Sequence, residues 1–329
     1  MKGKLGIIGT NFISEWFSEA ARRVEGVELS AVYSRTAERG RAFAEANGVQ
    51  RVYDSLDGML SSDIDAVYVA SPTFMHGVQS IAAMRAGKHV LVEKMMAPSF
   101  SVAERMAECA DKCGVVLLEA MRPAFDPSTD AIRSAIGRIG RVRRAHLEYC
   151  QYSSRYDKFK SGVVLNAFDP TICNSALADI GIYPLHMAVS YFGKPVAVRA
   201  SSVLLENGFE GEGTLALEYD GMLCEVSYSK ITESVSPSVI DGEEGSVVFD
   251  RINGPRKIEL HHRGGTVEQI AFPYVEKNMS YEIAAFCDMV EGKRDSKPYL
   301  DVSLEAVRIA TEAYNATGAV RYMNKEFMI

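Results

Sequence analysis

Up to about residue 121 the chain alternates short β-rich apolar runs with amphipathic stretches rich in Ala and charge, and this alternation restricts the fold more than any other feature. The strand candidates are Lys4–Gly9, Val27–Ser34, Arg51–Asp54, Ala66–Ser71, His89–Lys94 and Val115–Ala120. Between them lie segments of helical periodicity such as Thr36–Asn47, Met75–Ala86 and Val102–Lys112. Parallel strands need crossovers and helices supply them, so the pattern predicts a parallel sheet wound on both faces. The run Ala66-Val67-Tyr68-Val69-Ala70 is apolar on both faces, as a sheet covered on both sides requires. Residues 1–121 are therefore expected to form an α/β Rossmann domain.

After Pro123 the texture changes. Asp130–Ile136 reads as a helix, Val142–Ser153 as a strand and Leu177–Phe192 as a long helix, with a loop region before it. Strands with two-residue alternation follow at Val198–Leu205, Thr214–Tyr219, Leu223–Ser229, Ser246–Phe249, Lys257–His261 and Val267–Phe272. Asp220-Gly221, Asn253-Gly254-Pro255 and Arg263-Gly264-Gly265 supply hairpin turns, which predicts a largely antiparallel sheet. Helices near Tyr281–Glu291 and Ser303–Ala316 close an α+β domain expected to span 122–329. A length of 329 residues suits two domains.

Composition excludes several classes of partner. Lys and Arg are scattered and the formal charge is −7, so no basic face is available for nucleic acid or an anionic membrane. No apolar run is long enough to span a bilayer, and the N-terminus enters a strand almost at once, unlike a signal peptide. The six cysteines follow no framework spacing; Cys109 and Cys113 read as two small apolar residues on one helix face. The cytoplasm is the expected compartment.

At the first strand–helix junction stands Gly9-Thr10-Asn11-Phe12-Ile13-Ser14. A dinucleotide-binding turn takes glycine first for the tight turn, a second glycine for close approach to the pyrophosphate, and a small third residue for helix–strand packing. Gly9 and Ser14 fit the first and third positions, while Asn11 occupies the second. Asparagine tolerates positive φ, so the turn is expected to survive with the side chain close to the phosphates. The second strand ends Tyr33-Ser34-Arg35-Thr36, without the acid that holds the ribose hydroxyls of NAD. Ser34 and Arg35 suit a 2′-phosphate instead, so NADP is expected, with NAD as the alternative.

Three further stretches, with the first strand, carry a resemblance to a known family: Ser71-Pro72-Thr73-Phe74-Met75-His76, Glu93-Lys94 at the end of the fifth strand, and Asp179-Ile180-Gly181-Ile182-Tyr183-Pro184-Leu185-His186. Together they resemble the Gfo/Idh/MocA oxidoreductases over nearly the whole chain. Tyr183 puts the likeness on the glucose–fructose oxidoreductase and dihydrodiol dehydrogenase side of that family. The resemblance implies that Lys94 matches the lysine of a Glu-Lys-Pro motif, here followed by Met95, and acts in catalysis or substrate positioning. It implies that Tyr183 donates or accepts a proton and that the helix with Asp179, Tyr183 and His186 lines a substrate cleft, where Asp179 and His186 orient the substrate. Their spacing of four and three puts all three on one helical face, a pattern that an ordinary amphipathic helix also shows. Asn174-Ser175 stand where relatives carry paired glycines.

The expected cofactor contacts are thus Gly9, Thr10, Asn11, Phe12, Ile13, Ser34, Arg35, Ser71, Pro72, Thr73, His76, Glu93, Lys94 and Arg122. His76 touches nicotinamide or substrate, or merely starts a helix. Arg122 reaches the cleft or makes an interdomain ion pair. No third ligand accompanies Asp179 and His186 at metal spacing, so no metal is expected.

The function expected is NADP-dependent hydride transfer to or from a secondary alcohol or carbonyl of a sugar-like or cyclic polyol. An NAD-dependent glycosidase of the same fold and a non-catalytic cofactor-binding regulator are the alternatives. Cys224, Val226 and Tyr228, with Leu215, Leu217 and Tyr219 on the neighbouring strand, suggest more apolar sheet than the helices can cover. A homodimer or homotetramer through that sheet is expected.

Overall fold

The computed structural model describes residues 3–319 and divides into two compact units. Residues 1–2 and 320–329, the ends of the two expected domains, lie outside the described residues. Among the described residues the first unit holds 3–122 together with 276–304, and the second holds 123–275 and 305–319. The first unit thus breaks off near residue 122 and takes up 276–304 from later in the chain.

In the first unit six strands, β1 (Gly3–Ile8), β2 (Val27–Tyr33), β3 (Arg51–Tyr53), β4 (Ala66–Val69), β5 (His89–Glu93) and β6 (Leu117–Ala120), form one parallel sheet in the order β3-β2-β1-β4-β5-β6. This is the doubly wound order, with its reversal beside β1, where such sheets bind ligands. Helices α1 (Phe12–Ala21), α2 (Ala37–Asn47), α3 (Leu56–Leu60), α4 (Thr73–Arg85) and α5 (Phe100–Cys113) follow successive strands. Every residue of β4 is buried, and Phe17 of α1 stacks on Tyr68 with ring centroids 3.7 Å apart.

The second unit contains α6 (Pro127–Ile136), β7 (Val142–Cys150), α7 (Tyr156–Lys160), α8 (Ile182–Phe192) and seven more strands. These are β8 (Ala197–Leu204), β9 (Glu210–Tyr219), β10 (Met222–Ser229), β11 (Ser238–Gly242), β12 (Gly245–Phe249), β13 (Ile258–His262) and β14 (Val267–Gln269). They form one sheet in the order β14-β13-β12-β11-β7-β10-β9-β8, antiparallel except where β7 runs parallel to β10. All three expected turns join antiparallel neighbours. Helix α9 (Met279–Val290) packs on α1, and the change of unit at residue 304 falls within α10 (Lys297–Thr317).

Two expectations need correction. Leu215, Leu217, Cys224, Val226 and Tyr228 do share a face, but that face is the core, in contact with α8 and the turn before it. The opposite face is mixed, with exposed Leu223 and Val203 among charged neighbours such as Arg199 and Glu218. The expected helix Leu177–Phe192 is not one regular helix either. Leu177–Gly181 forms a wider π-helical turn before α8. Pro184 lacks the N–H that would bond to Ile180 in a continuous α-helix, and the wide turn lies immediately N-terminal to it.

Candidate active site

The phosphate loop of the first unit is built on Gly9, whose φ is +108°. A Cβ there would meet the carbonyl oxygen of Ala70 at 2.8 Å, so only glycine lets β1 and β4 approach this closely. Asn11 departs from the expectation: its φ is −94°, and it caps α1 instead of taking a left-handed turn. Its Oδ1 accepts from the N–H groups of Ile13 (3.1 Å) and Ser14 (3.2 Å), and its Nδ2 donates to Ala70 O at 2.8 Å. The side chain that was expected close to the phosphates is turned onto the protein's own backbone. Ser14 is fully buried, which gives the helix its close packing, while Phe12 is well exposed at the helix start. At the end of β2, Ser34 is buried and Arg35 exposed, with no ion-pair partner for Arg35 among the described residues.

Near the C-terminal ends of β5 and β6 the sheet carries two buried acids, Glu93 and Glu119. Glu93 accepts from the Tyr68 hydroxyl and, at 3.2 Å, from the Lys94 N–H. Burial raises its pKa, against the pull of the neighbouring Lys94 charge. Glu119 accepts from the Met96 N–H at 2.8 Å, and burial pushes its carboxyl up to about 7. Glu282 of α9 is buried with no hydrogen-bond partner for either oxygen among the described residues. Burial and the nearby Glu93 raise it well above the usual range, against the Arg122 charge. Arg122 thus stands in the field of Glu93 and Glu282, inside its own unit. Lys94 is half-buried, and the Lys94–Met95 peptide bond is cis.

His76 is 1% exposed. Its ring nitrogens lie 2.8 Å from Ser71 O and 3.0 Å from Met95 O, so the ring braces the chain after β4 against the chain after β5. Burial lowers it to about 4. Of the segment before it, Ser71 and Thr73 are partly exposed and Pro72 is exposed at the start of α4.

In the second unit the π-helical turn rests on a buried polar base. Glu210 accepts from the Leu177 N–H (3.0 Å), the Ser202 hydroxyl (2.7 Å) and the Tyr228 hydroxyl (2.9 Å). Ser175 Oγ accepts from the Ala178 N–H at 3.0 Å and meets the Tyr314 hydroxyl at 2.9 Å. Asn174 donates to Asn166 O at 3.0 Å, so each of the two residues that replace paired glycines bonds through its side chain. This base presents Asp179, half-exposed, with Lys230 Nζ at 2.8 Å from its Oδ2. Tyr183, one turn on, is half-buried with its ring 5.7 Å from that of Tyr149. His186 does not share their exposure. It is 2% exposed, and burial, with the nearby Arg133 charge, lowers its pKa to about 3.

Two family models cover the chain: an oxidoreductase family with NAD-binding Rossmann fold over residues 4–121, and a GFO/IDH/MocA C-terminal domain over 131–248. The scyllo-inositol 2-dehydrogenase (NADP(+)) IolU of Bacillus subtilis is 42% identical over 320 residues, 96% of this chain and 98% of that protein. The chain belongs to the GFO/IDH/MocA family of oxidoreductases. A second member, the uncharacterized oxidoreductase YgjR of Escherichia coli, is 34% identical over 96% of this chain and 97% of its own. Among solved structures, the GFO/IDH/MocA fold is matched by the 3-ketoreductase KijD10 of Actinomadura kijaniata, with a TM-score of 0.84 at 21% identity. That match covers 95% of this chain and 97% of that one.

Sequence reasoning missed three charged residues of this GFO/IDH/MocA chain. Glu119 sits in an apolar run, Leu117-Leu118-Glu119-Ala120, and a lone charge inside a buried strand was the available signal. Lys230 directly follows a strand, as Lys94 does, here the alternating β10. Glu282 lies in an amphipathic helix and carries no local mark.

Proposed function

We propose that the protein is an NADP-dependent dehydrogenase or reductase that moves hydride between nicotinamide and a secondary alcohol or carbonyl of a sugar-like or cyclic polyol. The end of β2 carries this reading: an exposed, unpaired Arg35 beside Ser34, with no acid to claim a ribose hydroxyl. The 42%-identical relative, an NADP-dependent scyllo-inositol dehydrogenase, supports both the cofactor and the polyol class.

The residues fit a dinucleotide. Gly9 keeps open a cradle that a Cβ would fill, and Arg35 offers a fixed positive charge for a 2′-phosphate. Asn11 already occupies the N–H groups of Ile13 and Ser14, so the backbone donors for a pyrophosphate come from the loop ahead of them. Bound nicotinamide supplies the hydride donor or acceptor. Lys94, electrostatically coupled to Glu93, and Tyr183 handle the hydroxyl proton, and Asp179 orients the substrate by accepting from a hydroxyl. His186 packs the core and His76 braces the loops.

The chain works as a homo-oligomer that pairs through the open face of the second unit's sheet, where Leu223 and Val203 are exposed. Its compartment is the cytoplasm, which suits six cysteines that all stand as free thiols.

The test uses Trp16, the single tryptophan, on α1 one turn beyond the phosphate loop. Titration with NADPH and NADH, followed by energy transfer from Trp16 to the nicotinamide, should show preference for NADPH. Arg35→Ala should weaken NADPH binding about 10- to 100-fold, as loss of a charge-assisted contact implies, and leave NADH unchanged. Absence of binding by either cofactor would overturn the reading.

A further inference from the structure

The least economical side chain in the second unit is Lys230. It is 3% exposed, and an ammonium this deep is costly unless paired. Its Nζ lies 2.8 Å from Asp179 Oδ2 and donates to Ala167 O at 2.6 Å. It also lies 5.0 and 5.2 Å from the ring centroids of Phe168 and Phe209, which belong to a buried aromatic cluster with Phe159. Packing does not call for a charge here. A methionine of similar length would fill the same space against those rings without a desolvation cost.

The pair is asymmetric. The lysine end is sealed, whereas Asp179 keeps 36% of its side-chain surface. A carboxylate on a surface turn would ordinarily sample several rotamers. This one is held through Oδ2 by a cation that is itself fixed by a carbonyl and two aromatic faces. The π-helical turn beneath it is anchored separately, through Glu210 and Ser175.

We propose that Lys230 is a positioning residue of the reaction, holding the Asp179 carboxylate in the one orientation that accepts a hydrogen bond from a substrate hydroxyl. The inference rests on the reading of Asp179 as substrate-orienting. It deepens that reading by requiring a substrate that presents a hydroxyl donor to the exposed side of a carboxylate whose other side is held by an ammonium, as a polyol does.

The experiment uses the full chain, scyllo-inositol as probe and NADP⁺ as oxidant. Steady-state kinetics are measured for wild type, Lys230→Met, Lys230→Arg, Asp179→Asn and the double variant Lys230→Met/Asp179→Asn. Lys230→Met should lower kcat/KM for the polyol about 10- to 100-fold, the scale of a small misplacement of an orienting group. The Trp16 titration with NADPH should not change. Lys230→Arg should recover a large part of the loss, and in the Asp179→Asn background Lys230→Met should cost nothing further.

A Lys230 that acts independently of Asp179 predicts additive losses in that cycle, and additivity would overturn the proposal, as would wild-type kinetics in Lys230→Met or a loss that Lys230→Arg does not recover. If Lys230→Met does not fold, the double variant, which buries no unpaired charge, serves instead: activity below that of Asp179→Asn alone is the overturning result. A wild type that neither binds nor oxidises scyllo-inositol removes the polyol reading and this inference with it. A wild type that turns over with an indifferent Lys230 removes only the inference.

Discussion

Single buried titratable groups couple this protein's stability to pH, and they do so in opposite directions. Glu119 keeps its proton up to about pH 7 when folded and releases it near 4.5 when unfolded, because burial penalises the carboxylate. Unfolding between those values releases a proton, so the stability of the neutral acid is full below pH 4.5 and declines as pH rises to about 7. His76 runs the other way. It stays neutral down to about 4 when folded but binds a proton below 6.5 when unfolded, so its contribution grows across that window. Comparing wild type with Glu119→Gln isolates the first slope. From pH 4.5 to 7.5 the glutamine variant should gain roughly 3 kcal/mol relative to wild type in denaturant melts. A difference independent of pH would mean that Glu119 is ionised in the fold. Arg35 and Gly9 were readable at this scale because each does its work within a few residues of where it stands. Lys230 and Asp179 lie on separate elements, and only the assembled sheet makes them partners.

Among the elements, the π-helical turn depends most on its neighbours. Tyr228 of β10 lies under it, and a Cβ on Gly181 would come within 2.5 Å of the tyrosine ring. On the other side a Cβ on Gly213 would come within 2.3 Å of the Tyr228 hydroxyl. Both glycines are spacers for one ring. Gly181→Ala should therefore cost about 1–3 kcal/mol by overpacking, read as a lower denaturant midpoint at unchanged slope. A wild-type midpoint would show that the ring has room to move. The strands and hairpins were legible because two-residue alternation and Gly-containing turns are local signals. The short β11 and α3 were not foreseen, being brief runs with little periodicity of their own. The π-helical turn was hidden because its residues fit a 3.6-residue pattern as well as any helix does, with Pro184 as the only mark. His186 shows the same limit: spacing put it on the face of Asp179, while the widened turn and the sheet below put it in the core.

For the whole molecule, the fold class was readable and the route of the chain was not. Two textures of sequence correctly announced a parallel and a mostly antiparallel sheet, but nothing in 276–304 marks it as a piece of the first unit. The oligomer also belongs to this scale. The apolar face that suggested it is the unit's own core, so the proposed association is assigned to the opposite, mixed face. Light scattering at micromolar concentration should give a multiple of the monomer mass, and Leu223→Glu should shift it towards the monomer. A wild-type monomer would remove the proposal. The return of α9 to α1 has a further consequence during synthesis. The ribosome makes residues 1–122 first, yet the helix that covers α1 emerges only after the entire second sheet. At roughly 5–20 residues per second, the cofactor domain waits on the order of ten to thirty seconds with that flank bare. A second unit that folds promptly on its own would shorten that exposure.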